Sequence, residues 1–151
     1  PEMAAGYILL VEDNPDDEEL TRIALTRGRI ANELVVAHDG AEAVALLLGA
    51  RARPEPPQLI MLDLKLPKIS GLTVLQRVRA EPRLHFVPVV ILTSSSEDED
   101  IIAGYQLGAN SYVRKPVAFQ EFVTAVGQLG LYWLLLNQSA RPEWLGAAAP
   151  D

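Results

Sequence analysis

Short blocks of apolar residues recur along the chain, each closed by polar or turn-forming residues: Tyr7 to Val11, Leu34 to Ala37, Leu59 to Leu62 and Val87 to Leu92. Such runs are too short for a typical helix, and their lack of alternation suits strands covered on both faces. Ser111 to Arg114 is read as a fifth strand, and Pro88 sits near the start of the fourth, where a missing amide donor is tolerable. Helical spacing fills the intervals. Asn14-Pro15 breaks the first block, Asp16 to Glu19 place negative charge at the positive end of a helix dipole, and Leu20, Ile23, Ala24 and Arg27 continue toward Gly28. Ala41 to Leu48 follows the turn His38-Asp39-Gly40, and a proline-rich connector runs from Arg51 to Pro57. Gly71 to Ala80 carries Leu72, Val74, Leu75 and Val78 and stops near Pro82. Glu97 to Asp100 open a helix that reaches Leu107, with Gly108 as a left-handed stop, and a long apolar helix starts near Phe119.

Strands alternating with helices predict an α/β fold: a doubly wound parallel sheet with helices on both faces. Right-handed crossovers leave few topologies, and the flavodoxin-like order 2-1-3-4-5 is the common five-stranded choice. Composition narrows the class. The chain has 151 residues and 49% hydrophobic content, enough for one core and one domain. A net charge of −7 with no basic stripe argues against a nucleic-acid surface. Cysteine is absent, which removes disulfides and thiol chemistry. No signal-peptide pattern opens the sequence, and the longest apolar run, Leu131 to Leu136, is far shorter than the roughly 20 residues of a membrane span. The expectation is a soluble, cytoplasmic protein with no membrane segment.

The chemistry gathers around Asp63, a carboxylate at the exit of the third strand. In an open parallel sheet the strand exits line the ligand crevice, although an Asp there can also simply cap a turn. In the order 2-1-3-4-5, Glu12, Asp13, Asp63, Thr93 and Lys115 share one rim. Three carboxylates so close repel one another unless a cation or protons intervene. Mg²⁺ uses one or two carboxylates, keeps several waters and takes phosphate oxygens for the rest. Lys115 offers a point charge and Thr93 a hydroxyl to a phosphoryl guest, and an Asp carboxylate can itself be the nucleophile. Each residue alone has a plain reading: a turn Asp, a helix-initiating acid pair, a strand-end Thr, a surface Lys. Convergence on one rim favours the phosphoryl site. His38 and His85 are read as solvated loop residues without a role.

The ordered segments Ile8-Leu9-Leu10-Val11-Glu12-Asp13-Asn14, Met61-Leu62-Asp63-Leu64-Lys65-Leu66-Pro67-Lys68-Ile69-Ser70-Gly71, Ile91-Leu92-Thr93-Ser94 and Gly108-Ala109-Asn110-Ser111-Tyr112-Val113-Arg114-Lys115-Pro116 resemble the receiver domains of two-component response regulators. The resemblance spans about Tyr7 to Leu129. It implies that Asp63 accepts phosphate from the phosphohistidine of a sensor histidine kinase. It further implies that Asp13 and Asp63 bind Mg²⁺ with the Lys65 backbone carbonyl, that Glu12 helps through water, that Thr93 and Lys115 grip the phosphoryl group, and that Tyr112 is the switch aromatic. A phosphoryl group adds about −1.5 to −2 charge, enough to draw a hydroxyl inward. Motion of Thr93 toward Asp63 would then open space for Tyr112 to rotate.

On this reading residues 1–137 form a receiver domain with an extended C-terminal helix, and 138–151 form a short tail with no separate output domain. Phe119, Phe122, Val123, Val126 and Trp133 fall on one side of that helix, while Leu131, Tyr132 and Leu135 fall opposite. Such residues invite a second chain, and a homodimer through this segment is expected. Gly127 and Gly130 could instead bend the helix and redirect its apolar end. The ending Tyr132-Trp133-Leu134, with Glu12-Asp13-Asn14-Pro15-Asp16-Asp17, is most similar to stand-alone regulators paired with phytochrome-type kinases. Rivals fit less well. An aspartate-nucleophile phosphatase would want an acid where Lys65 stands, a flavodoxin would want a phosphate loop where the chain has acids, and a non-phosphorylated receiver-fold interaction module would lack part of the acid, threonine and lysine set.

Overall fold

The computed structural model describes residues 6–93, 98–114, 120–121, 123–125 and 128, and the side chains of Thr93, Asp98, Glu99 and Arg114 lie outside that description. Five parallel strands run in the order β2-β1-β3-β4-β5, as the alternation of strands and helices predicts. They are β1 (Tyr7–Val11), β2 (Glu33–Ala37), β3 (Leu59–Leu62), β4 (Val89–Thr93) and β5 (Ser111–Arg114), and the helices between them are α1 (Pro15–Arg27), α2 (Gly40–Leu48), α3 (Gly71–Ala80) and α4 (Asp98–Gln106). Every described residue between Gln120 and Gln128 is also helical.

The unbroken apolar runs have the expected cause. Side chains alternate across a strand, so a strand covered on both faces must be apolar throughout. Leu9, Val11, Ile60, Leu62, Val89 and Ile91 join Ala43, Leu47, Val74, Leu75 and Val78 of α2 and α3 in one core. Ile8, Leu10, Leu59, Met61, Val90 and Leu92 join Ala24 and Leu25 of α1, together with Val123, in the other. Burying each large side chain contributes about 1.5–3 kcal/mol, so the central strands dominate stability.

Local signals set the boundaries. Asn14 caps α1, its side chain accepting from the amides of Asp16 and Asp17, with Pro15 at the first turn and acids behind it. Asp39 caps α2 through the Glu42 amide, and Ser70 caps α3 through the Thr73 amide. Gly108 has the left-handed φ of +98° read from the sequence. Two details differ. The fourth strand begins at Val89 and not at Val87, because the Val87 amide donates to Leu84 at 3.1 Å and closes a turn. After α1 the left-handed residue is Arg29, at φ 62°, while Gly28 keeps an ordinary φ of −78°.

Candidate functional site

Register brings the acids together. Val11 of β1 lies opposite Leu62 of β3, so the next residues out, Glu12 and Asp63, leave the sheet side by side. The ladder continues through them: the Asp63 amide donates to Val11 at 3.1 Å and the Glu12 amide to Ala37 at 2.9 Å. Both carboxylates are held at the sheet edge by main-chain bonds before any side-chain contact acts. Glu12 is 1% exposed and Asp63 7%, whereas Asp13 is open to solvent.

One carboxylate oxygen from each of Glu12, Asp13 and Asp63 lies within 4.8 Å of the other two. At an effective dielectric near 20, like charges at that distance repel by about 3 kcal/mol per pair. The donor set is all oxygen, and its spacing suits one hard divalent cation. The neighbouring groups aim donors at the acids. The Lys65 amide donates to Asp63 Oδ1 at 3.1 Å, and the Asn14 amide reaches Glu12 Oε2 at 3.3 Å.

The remaining residues read from the sequence distribute as follows. The Thr93 backbone ends β4 opposite Arg114, on the same rim as Asp63. Tyr112 lies opposite Ile91 in β5, packs half-buried against the first core, and its ring centroid is 6.4 Å from that of Tyr105. Lys115, the Thr93 side chain and the segment Leu131 to Leu136 lie outside the described residues. His38, read as solvated, is exposed yet has Nε2 3.1 Å from a Glu18 carboxylate oxygen and its amide on Glu42 at 2.8 Å.

Two features near Asp63 escape sequence reading. A Cβ at Gly71 would run into the Asp63 carbonyl, and the Gly71 amide donates to Leu64 at 2.9 Å, so α3 presses against the acid's own peptide. Lys68 takes a left-handed φ of 69° with its ammonium 3.2 Å from Asp39. The glycine sits in the motif, but nothing local announces a left-handed lysine.

A five-stranded parallel sheet in this order, with three acids at the exits of β1 and β3, defines an α/β protein whose crevice gathers oxygen donors able to hold a cation. Residues 8–127 match the model of the response regulator receiver domain. The chain belongs to that family. It is 38% identical over 129 residues to Response regulator Rcp1 of Synechocystis sp., covering 84% of this chain and 88% of that relative. The structure of the phosphorylated cyanobacterial phytochrome response regulator RcpA superposes with a TM-score of 0.84 at 36% identity, covering 91% of this chain and all of that one. The Mn²⁺-bound form of Rcp1 gives 0.81 at 34% identity, covering 90% of this chain and 99% of that one. No helix among the described residues is long and apolar enough to cross a membrane.

Proposed function

We propose that this chain is a phosphoryl-accepting switch in which Asp63 takes a phosphoryl group from the phosphohistidine of a sensor histidine kinase. The observation that carries this reading is the three carboxylate oxygens within 4.8 Å at adjacent strand exits, with Asp63 among them. Asp13, Asp63 and the Lys65 carbonyl would hold Mg²⁺, with Glu12 acting through water. A bound divalent ion supplies charge neutralisation for the displacement. An Asp63 carboxylate oxygen attacks phosphorus, the phosphorus–nitrogen bond of the donor breaks, and its electron pair leaves with the imidazole. The two main-chain bonds at Glu12 and Asp63 fix the attacking geometry. Thr93 and Lys115 grip the transferred group, and Tyr112 follows Thr93 to remodel the surface formed by α4 and β5. The chemistry is confined to the chain's own phosphorylation and its reversal.

RcpA is a phytochrome response regulator by name, and this likeness supports a phytochrome-type kinase as donor. The chain acts in the cytoplasm as a receiver domain over 1–137 with a tail over 138–151. It pairs with a second copy through the C-terminal segment, without nucleic acid or membrane. Light scattering at micromolar concentration should give the mass of two chains, and a monomer contradicts that pairing.

The deciding experiment treats the protein with a small phosphodonor and Mg²⁺ and follows the intact mass. Wild type should gain one phosphoryl group, lost when Mg²⁺ is chelated beforehand. Asp63→Asn should gain none. Labelling that persists in that variant overturns the site, and a folded wild type that never labels favours the interaction-module reading.

A further inference from the structure

The connection from β3 to α3 is held by groups outside its own segment. At its far end the Gly40 amide donates to the Pro67 carbonyl at 3.3 Å, and a Cβ at Gly40 would run into the backbone of Ile69. Lys68 adopts its left-handed φ of 69° and sets its ammonium 3.2 Å from Asp39 Oδ2. A bulky residue adopts that conformation only where its surroundings offset the cost. The other oxygen of the same carboxylate, Asp39 Oδ1, accepts from the Glu42 amide at 2.7 Å, so the group that receives Lys68 is itself fixed to the start of α2. At the near end, Gly71 anchors Leu64 and the Lys65 amide donates to Asp63 Oδ1 at 3.1 Å. The Lys65 peptide is therefore a short arch between two pins.

We propose that Asp39, Gly40 and Lys68 are positioning residues that hold the Lys65 peptide beside Asp63 and so set how tightly the acidic rim binds a divalent cation. The inference rests on the reading above, in which the Lys65 carbonyl completes the ion's oxygen shell. Lys68 is 66% exposed, and exposed ion pairs add little to global stability. The effect belongs at the ion and not in the melting curve. Outer groups that orient a metal's direct ligands are worth about tenfold or more in affinity, which sets the scale of the loss.

The test is calorimetric titration of the full chain with Mg²⁺ alone, alongside urea denaturation. Lys68→Met and Asp39→Asn should each weaken Mg²⁺ about tenfold. Asn can still accept the Glu42 amide, so the helix cap survives and the urea midpoint should fall only by the small part that the Asp39 charge contributes. The double variant should be no weaker than either single one, because both remove the same contact. Lys68→Arg should restore the affinity, and amide exchange at Lys65 and Leu66 should speed up in ion-free Lys68→Met. Wild-type affinity in Lys68→Met and Asp39→Asn, with Asp13→Asn still impaired, overturns the clasp and leaves the functional reading standing. Unchanged affinity in Asp13→Asn as well removes the metal site and the clasp with it.

Discussion

At the C-terminal ends of the strands, Glu12, Asp13 and Asp63 bring like charges within 4.8 Å of one another. At the N-terminal ends, charges of the other sign meet acceptors that were already there. Arg79 donates through Nε and Nη2 to Gly108 at 3.0 and 2.8 Å, and through Nη1 to His85 at 2.9 Å and Val87 at 2.7 Å. Its Nη2 also reaches Asn110 Oδ1 at 3.0 Å, an atom that accepts the Val89 amide at 2.8 Å and so joins the starts of β4 and β5. Burial pushes the Arg79 pKa down, yet carbonyl dipoles satisfy its donors in place. Arg53 makes a two-pronged bond to Glu33 at 2.9 and 2.8 Å and stacks 4.5 Å from the Tyr7 ring centroid. One end of the sheet is closed by cations matched to carbonyls and a carboxylate, and the other concentrates repulsion that a cation would relieve. Stability and ion binding should therefore separate by end of sheet, and each variant below tests that separation.

Arg79→Met should have the largest effect on stability. It strips donors from several partly buried carbonyls, at a cost of about 2–4 kcal/mol, while Mg²⁺ affinity stays at the wild-type value. Urea denaturation with and without Mg²⁺ measures both quantities. Loss of affinity without loss of stability would erase the distinction between the two ends.

Asp13→Asn should do the reverse. In wild type, Mg²⁺ at about 100 times its dissociation constant should raise unfolding free energy by about 2.7 kcal/mol, and the variant should lose most of that gain. Ion-free stability should not fall, because removing one of three crowded carboxylates relieves repulsion. An undiminished Mg²⁺ effect in the variant would place the ion elsewhere.

Arg29→Gly should bring a smaller gain of about 0.5–1 kcal/mol, since Arg29 holds φ 62° where glycine is at ease. The thermal midpoint should rise, with phosphoryl acceptance unaltered. A lower midpoint would mean that the Arg29 side chain contributes more than its backbone costs.

The smallest effect is the acid limb. The hydrogen bond from Arg53 lowers the Glu33 pKa, and the hydrogen bond from the Glu42 amide, with Lys68 helping, lowers that of Asp39. A carboxyl lowered in the folded state binds fewer protons there than in the unfolded chain. Its contribution is present above the ordinary carboxylate range of about 4 and is lost as pH falls through the folded value. Urea midpoints should decline less steeply below about pH 4 in Glu33→Gln than in wild type. Equal slopes would contradict the assigned shift.

The sheet was legible because a strand buried on both faces must be apolar along its length, and Leu59 to Leu62 has no other economical reading. Glu12 and Asp63 were legible for the same reason: polar residues that end such strands must emerge where neighbouring strands emerge. Val87 misled because an apolar residue before a proline looks like strand, while its amide was committed to a turn. Arg79 left no signal, since all but one of the groups it donates to are main-chain carbonyls, as distant as Gly108, and any residue supplies a carbonyl. Gly40 and Gly71 stand in plain view, but the backbone that excludes a Cβ at each belongs to another segment. Lys68 could not be anticipated, because lysine is not a residue that marks left-handed backbone.

The most direct measurement is to locate the phosphoryl group itself. The protein should be phosphorylated with a small donor and Mg²⁺, reduced at the acyl phosphate, and mapped by peptide mass spectrometry. A single homoserine in place of Asp63, absent when hydroxylamine cleaves the acyl phosphate before reduction, is the predicted result. A stable phosphoester on a serine or threonine, or a phosphoryl group on His38 or His85, would contradict the account.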